Sequence, residues 1–177
     1  MDEVLDKAGE AALVLAAERA WGAVTLRDIA ERAEVPFADL YAKAPGKPLL
    51  VLRLSQSLDR AALETAATAS EDAHDRLFDA TMARIEAMEP HREGLVSMAR
   101  AENPVTMATL LPLTARAILE AAGVSATPPR LAAMTLVWAR VVRVWRDDEG
   151  ALNRTMAEID KQLRQMRERL KRIGAGY

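Results

Sequence analysis

Apolar side chains recur along this chain at intervals of three and four, the period of an α-helix. Leu5, Ala8, Ala12, Leu15 and Ala16 mark a first helix over about 3–20. Trp21-Gly22 is expected to end it, with Gly22 taking the left-handed conformation. Thr25 then has the chemistry of an N-cap, with Asp28 three residues on in the capping-box position. A short helix over 26–33, a turn at Glu34-Val35-Pro36 and a second short helix ending near Lys43 follow. Ala44-Pro45-Gly46 closes that helix. Longer helices are predicted over 49–69, 72–88, 106–122, 130–146 and 152–173, with a shorter one over 92–101. Their punctuation is Glu89-Pro90, Asn103-Pro104, Gly123, Thr127-Pro128-Pro129 and a turn at 147–150. The pattern is all-α, about nine helices, and contains no internal repeat.

The last two helices carry the sharpest patterns. Leu152, Met156, Ile159, Leu163, Met166, Leu170 and Ile173 form a narrow seam between charged positions. Such a seam fits a helix lying on its own core, or one that also packs on a partner subunit. The helix before it is apolar nearly all round, interrupted by Arg140 and Arg143. A helix of that kind needs cover on more than one side. A homodimer is therefore expected, with Leu136, Val142, Trp145, Ile159, Leu163 and Met166 at an isologous four-helix contact.

Composition agrees with the helical reading. Of the 177 residues, 50% are hydrophobic but only 4% aromatic, so Ala, Leu, Val and Met supply the apolar content. Cysteine is absent, which removes disulfides, thiolate metal sites and a cysteine nucleophile. No apolar run reaches the roughly 18 residues that span a bilayer, and the acidic start Met1-Asp-Glu3 is unlike a secretory signal. A cytoplasmic protein is expected. His74 and His91, the two histidines, stand among acids at helix starts, where the macrodipole accounts for the acids without a metal. Pro45-Gly46-Lys47 lacks the first glycine of a phosphate loop, and no nucleophile elbow or zinc-binding His pair is present. Neither enzyme activity, a metal nor a cofactor is expected.

What remains is the stretch from Thr25 to Lys47. Ile29, Ala30, Val35 and Leu40 are its inward positions, and Ala30 is small where two helices would cross. The pair can be a helix-turn-helix, whose second helix enters the DNA major groove, or two ordinary core helices. The stretch resembles the N-terminal domain of the TetR family of bacterial transcriptional regulators. That family's pattern is Thr-x-x-x-Ile-Ala-x-x-Ala-Gly-Val-Ser, a recognition helix ending in Leu-Tyr, and a Lys that opens the fourth helix. Thr25, Ile29, Ala30, Ala33, Val35, Leu40, Tyr41 and Lys47 stand in place. The chain departs from the pattern at Glu34 (for Gly), Pro36 (for Ser), Ala38-Asp39, Ala44 and Pro48.

The resemblance implies a TetR-like fold, with a DNA-binding head over 1–47 and a ligand-binding and dimerisation bundle over 48–177. It implies double-stranded DNA and an apolar small-molecule effector as partners. Thr25 and Lys47 would contact phosphates and Tyr41 would lie against the DNA backbone. Phe37, Ala38 and Lys43 would face the groove, and Arg27 is a further candidate DNA contact. Met82, Met98, Met107, Met134 and Trp138, adaptable or flat side chains on apolar faces, are the candidate effector contacts. The charge balance pulls the other way. Residues 1–50 carry six basic against nine acidic side chains, and between Thr25 and Lys47 there are four of each. DNA affinity comes largely from neutralising phosphates. A second resemblance follows from the C-terminal part. Trp145, an acidic turn, Thr155 and an amphipathic helix look similar to TetR-fold accessory proteins of ubiquinone biosynthesis, which bind lipid or isoprenoid and no DNA. Residues 151–177 carry seven basic against three acidic side chains, which suits an anionic membrane surface.

Overall fold

The computed structural model describes residues 2–65, 70–101, 104–148 and 152–177, except for the side chains of Thr65 and Pro104. Nine α-helices and no strand occur among them: α1 (Glu3–Glu18), α2 (Leu26–Arg32), α3 (Phe37–Lys43), α4 (Lys47–Thr65), α5 (Ala73–Met88), α6 (Arg92–Ala101), α7 (Pro104–Ala121), α8 (Pro128–Arg146) and α9 (Asn153–Arg172). The expected ends of α4 near 69, the stop at Asn103 and the turn residues 149–150 lie outside the described residues. α7 begins at Pro104 rather than 106, because proline suits a first helical turn. It also runs through Pro112, which has no N–H to give the Ala108 carbonyl.

The helices gather into two units. One holds the described residues of 1–57 and 90–107, the other those of 58–89 and 108–177. The boundary expected at residue 47 is therefore displaced: the first turns of α4, and all of α6, belong with the N-terminal unit. The sequence pattern misses this because α6 reaches α1 from some eighty residues away. The contact depends on Gly94. A Cβ there would meet the Leu13 carbonyl oxygen at 2.3 Å, so only a glycine lets the backbones of α6 and α1 come this close. α1 answers with a small-residue face of Ala8, Ala11, Ala12 and Ala16.

The paired helices α2 and α3 are built by local chemistry. The Asp28 backbone N–H donates to Thr25 Oγ1 (3.1 Å) and the Thr25 N–H donates to Asp28 Oδ2 (2.8 Å), a complete capping box. At the other end of α2 the Glu34 N–H donates to the Glu31 carbonyl and the Val35 N–H to the Ala30 carbonyl. This is a Schellman closure, and it needs a left-handed residue at Glu34, whose φ is +53°. Glycine would adopt that conformation without strain. Gly22, by contrast, does not end α1 through a positive φ: Arg19 turns extended after α1, and Trp21–Ala23 form a single 3-10 turn.

Ile29 and Leu40 are fully buried between the paired helices and their neighbours. The 3-10 turn buries Trp21, and the first residue of α4 locks it. Lys47 donates from Nζ to the carbonyls of Trp21 (2.7 Å) and Val24 (2.8 Å), with its ammonium 4.5 Å from the Trp21 ring centroid.

In the second unit α9 packs on α8 and α5. Met134, Val141, Trp145, Ile159, Leu163, Met166 and Leu170 form a continuous core. Asp148, buried just before α9, accepts from the Thr155 N–H (2.9 Å) and hydroxyl (2.8 Å), so a side chain outside the helix caps its first turn. Trp145 donates from Nε1 to Glu89 Oε2 at 2.8 Å.

Three substitutions test these devices by thermal or urea unfolding. Gly94→Ala should cost about 2–3 kcal/mol, because neither backbone can give way cheaply. Glu34→Gly should raise stability by about 0.5–1 kcal/mol, relief of the left-handed strain exceeding the added chain entropy. Lys47→Met should cost about 2 kcal/mol by orphaning two carbonyls.

Candidate nucleic-acid interface

The helix-turn-helix reading requires α3 to have one face inside and one outside. Leu40 is completely buried, whereas Ala38, Asp39, Tyr41, Ala42 and Lys43 are exposed and Phe37 is half-buried. Phe37 and Tyr41, one turn apart, bring their ring centroids to 5.9 Å. Arg27 of α2 lies over the Phe37 ring at 4.6 Å, a cation–π contact that holds the guanidinium beside α3. Thr25, Arg27, Phe37, Ala38, Tyr41 and Lys43 are thus all on one outward-facing unit of structure.

Lys47 departs from expectation. It is half-buried, and its ammonium is engaged with two backbone carbonyls and an indole. Its place at the start of α4 makes it a clamp on the head rather than a phosphate contact. Thr25 is engaged within the α2 cap: its Oγ1 accepts from the Asp28 N–H, and its hydroxyl also interacts with the Asp28 carboxylate.

The remaining cations are largely matched by acids of the same unit. Lys43 pairs with Asp2, which also caps α1. Arg32 pairs with Glu18, Arg19 with Asp28 (2.7 Å) and Lys7 with Glu3 (2.7 Å). The Lys43 ammonium holds the Asp2 carboxyl below the usual carboxylate range, and the Thr25 cap does the same for Asp28, with Arg19 adding to it. These carboxylates are therefore ionised at neutral pH and compete with phosphate for the same cations.

The candidate effector residues are divided between the two units. Met98 and Met107 lie in the first unit, and Met82, Met134 and Trp138 in the second. Met98 and Met134 are core residues, 3% and 0% exposed. Sequence reasoning missed a polar group in the second unit. The buried Asp59 of α4 accepts from Arg84 Nε (2.7 Å) and from the Thr114 hydroxyl (2.9 Å), and the Arg84 guanidinium lies 5.6 Å from the Trp138 ring. Burial pulls the Arg84 pKa down and Asp59 opposes it. A surface cleft in the same unit is lined by Asp72, His74, Arg164, Arg167 and Glu168, none of them an expected contact.

The expected dimer contact also needs correction. Trp145, Ile159, Leu163 and Met166 are at most 2% exposed within the single chain. The central residues of the α9 seam are covered by α8 and α5 of the same chain, while Ile173 at its end is 67% exposed. No helix among the described residues is long and apolar enough to cross a membrane. Leu136, 60% exposed, and the half-buried Val142 remain on the outer side of α8.

No protein-family model matches the chain, and comparison with curated proteins finds no match. Solved structures do match over nearly its whole length. A TetR transcriptional regulator from Nitrosomonas europaea superposes with a TM-score of 0.72 at 22% identity, covering 92% of this chain and 96% of that one. One from Rhodococcus sp. RHA1 gives 0.71 at 18%, covering 93% and 95%. A TetR-family regulator from Streptomyces coelicolor gives 0.56 at 18%, covering 99% and 83%. The chain has the fold of the TetR transcriptional regulators.

Proposed function

We propose that this chain is a TetR-like transcriptional regulator that binds double-stranded DNA as a homodimer and responds to an apolar small molecule. The observation that carries the DNA half is the outward face of α3. A helix fixed by a capping box, a Schellman turn and a buried Leu40, with its other side free, has the form of a recognition helix. The solved structures with this fold are described as transcriptional regulators, which supports the same reading. Leu136 and Val142 on α8 are the apolar positions that a second copy would cover. The effector is assigned to the second unit, where the half-buried Met82 is the candidate contact that is not closed in the core.

The ion pairs shape how such a head binds. Each cation that must leave a carboxylate before meeting a phosphate contributes little net affinity. Counterion release gives a slope of log K against log salt of about −0.9 per phosphate neutralised. With Arg27 as the cation that stacks on an aromatic ring rather than on an acid, the dimer should show a slope no steeper than about −4. Fluorescence anisotropy with the DNA flanking its own gene, at two salt concentrations, measures it. Asp2→Asn keeps an N-cap but releases Lys43, and should steepen the slope by about 1 per head. Absence of binding by both proteins at low salt would remove the DNA reading.

A further inference from the structure

The exposed face of α3 is short of the groups that read purine edges. Residues 37–43 contain no Arg, Asn or Gln. These are the side chains whose paired donors fit guanine, or adenine, in the major groove. Lys43 is held by Asp2 at the far end of the helix. Positions 38 and 42 lie opposite the buried Leu40 and carry two methyl groups, with the exposed Tyr41 beside them and the half-buried Phe37 one turn before Tyr41, its ring tilted against the Tyr41 ring. Asp39 adds a carboxylate, which accepts and does not donate. The one chemical feature of the groove that methyl groups and aromatic edges match is the C5-methyl of thymine.

From this face we infer that α3 selects its site by apolar contact with thymine methyls, Ala38 and Ala42 touching the methyls and the exposed Tyr41 flanking them. The small Ala side chains allow the helix to sit deep, because nothing longer than a methyl projects at 38 and 42. Arg27, held on the Phe37 ring, sets the register from the adjoining backbone. The selected half-sites are therefore rich in T on the contacted strand, and no guanine is needed in them. This rests on the DNA-binding reading above and specifies its target.

The test separates the two. The full chain selects binders from a random pool of duplex DNA, and the winning duplex is resynthesised with deoxyuridine for thymidine, which removes only the methyls. The expected result is a T-rich half-site and a loss of about three- to fivefold in affinity for each contacted methyl removed. Ala38→Ser, which keeps the helix and makes the position polar, should lose one such factor of discrimination between the thymine and uracil duplexes, and Ala38→Ser with Ala42→Ser should bind the two with closely similar affinity. Selection of G·C half-sites, or a wild-type affinity indifferent to uracil, overturns the inference while leaving DNA binding intact. A pool that yields no enriched sequence at low salt overturns the DNA reading itself.

Discussion

One ammonium group organises the head. The side chain of Lys47 starts α4, yet its charge is spent on the carbonyls of Trp21 and Val24 and on the face of the Trp21 indole. Those carbonyls belong to the link between α1 and α2, so a single side chain ties the link to the first turn of α4. Hydrogen bonds from a charged donor are among the stronger ones in proteins, and half-burial keeps water from competing for them. With that link fixed, the capping box sets where α2 starts and the Glu34 turn sets where it stops. The direction of α3 follows from those boundaries and from the burial of Ile29 and Leu40.

The same unit shows a conflict between folding and DNA affinity. An acidic head with paired cations is stabilised little by exposed ion pairs, each contributing about 0–1 kcal/mol. It also loses much of the electrostatic attraction that most DNA-binding domains rely on. Under the proposed DNA-binding function, such a head would depend on the shape and apolar match of α3 more than on charge. Regulation fits that economy, since weak non-specific binding leaves the specific contact as the main source of occupancy.

Local signals were legible in the sequence and distant ones were not. Thr25 and Asp28, three residues apart, announced the start of α2, and Gly123 and Pro128 the borders of α7 and α8. The Thr25–Lys47 pattern gave the fold, and its departure at Glu34 marked the position where the structure holds a strained φ. The partner of a surface was not legible. The α9 seam is a true seam, but periodicity does not say whether the covering helix comes from the same chain, and here α8 and α5 cover it. Lys47 reads identically whether its ammonium meets a phosphate or two carbonyls. Gly94 lies in the first turn of α6, where sequence gives no hint that α1 packs against it. Asp59 and Arg84 carried a faint signal: Arg84 falls on the stripe of Leu77, Thr81 and Met88, where an arginine signals either a break in the core or a buried pair.

The account stands on α3 being the surface that meets duplex DNA. Amide hydrogen exchange of the full chain, with and without a saturating duplex from its own flanking region, tests this directly. The account predicts slowed exchange concentrated in α2, α3 and the turn at Glu34. A bound complex in which α3 exchanges as fast as in the free protein, with protection confined to the second unit, would contradict it.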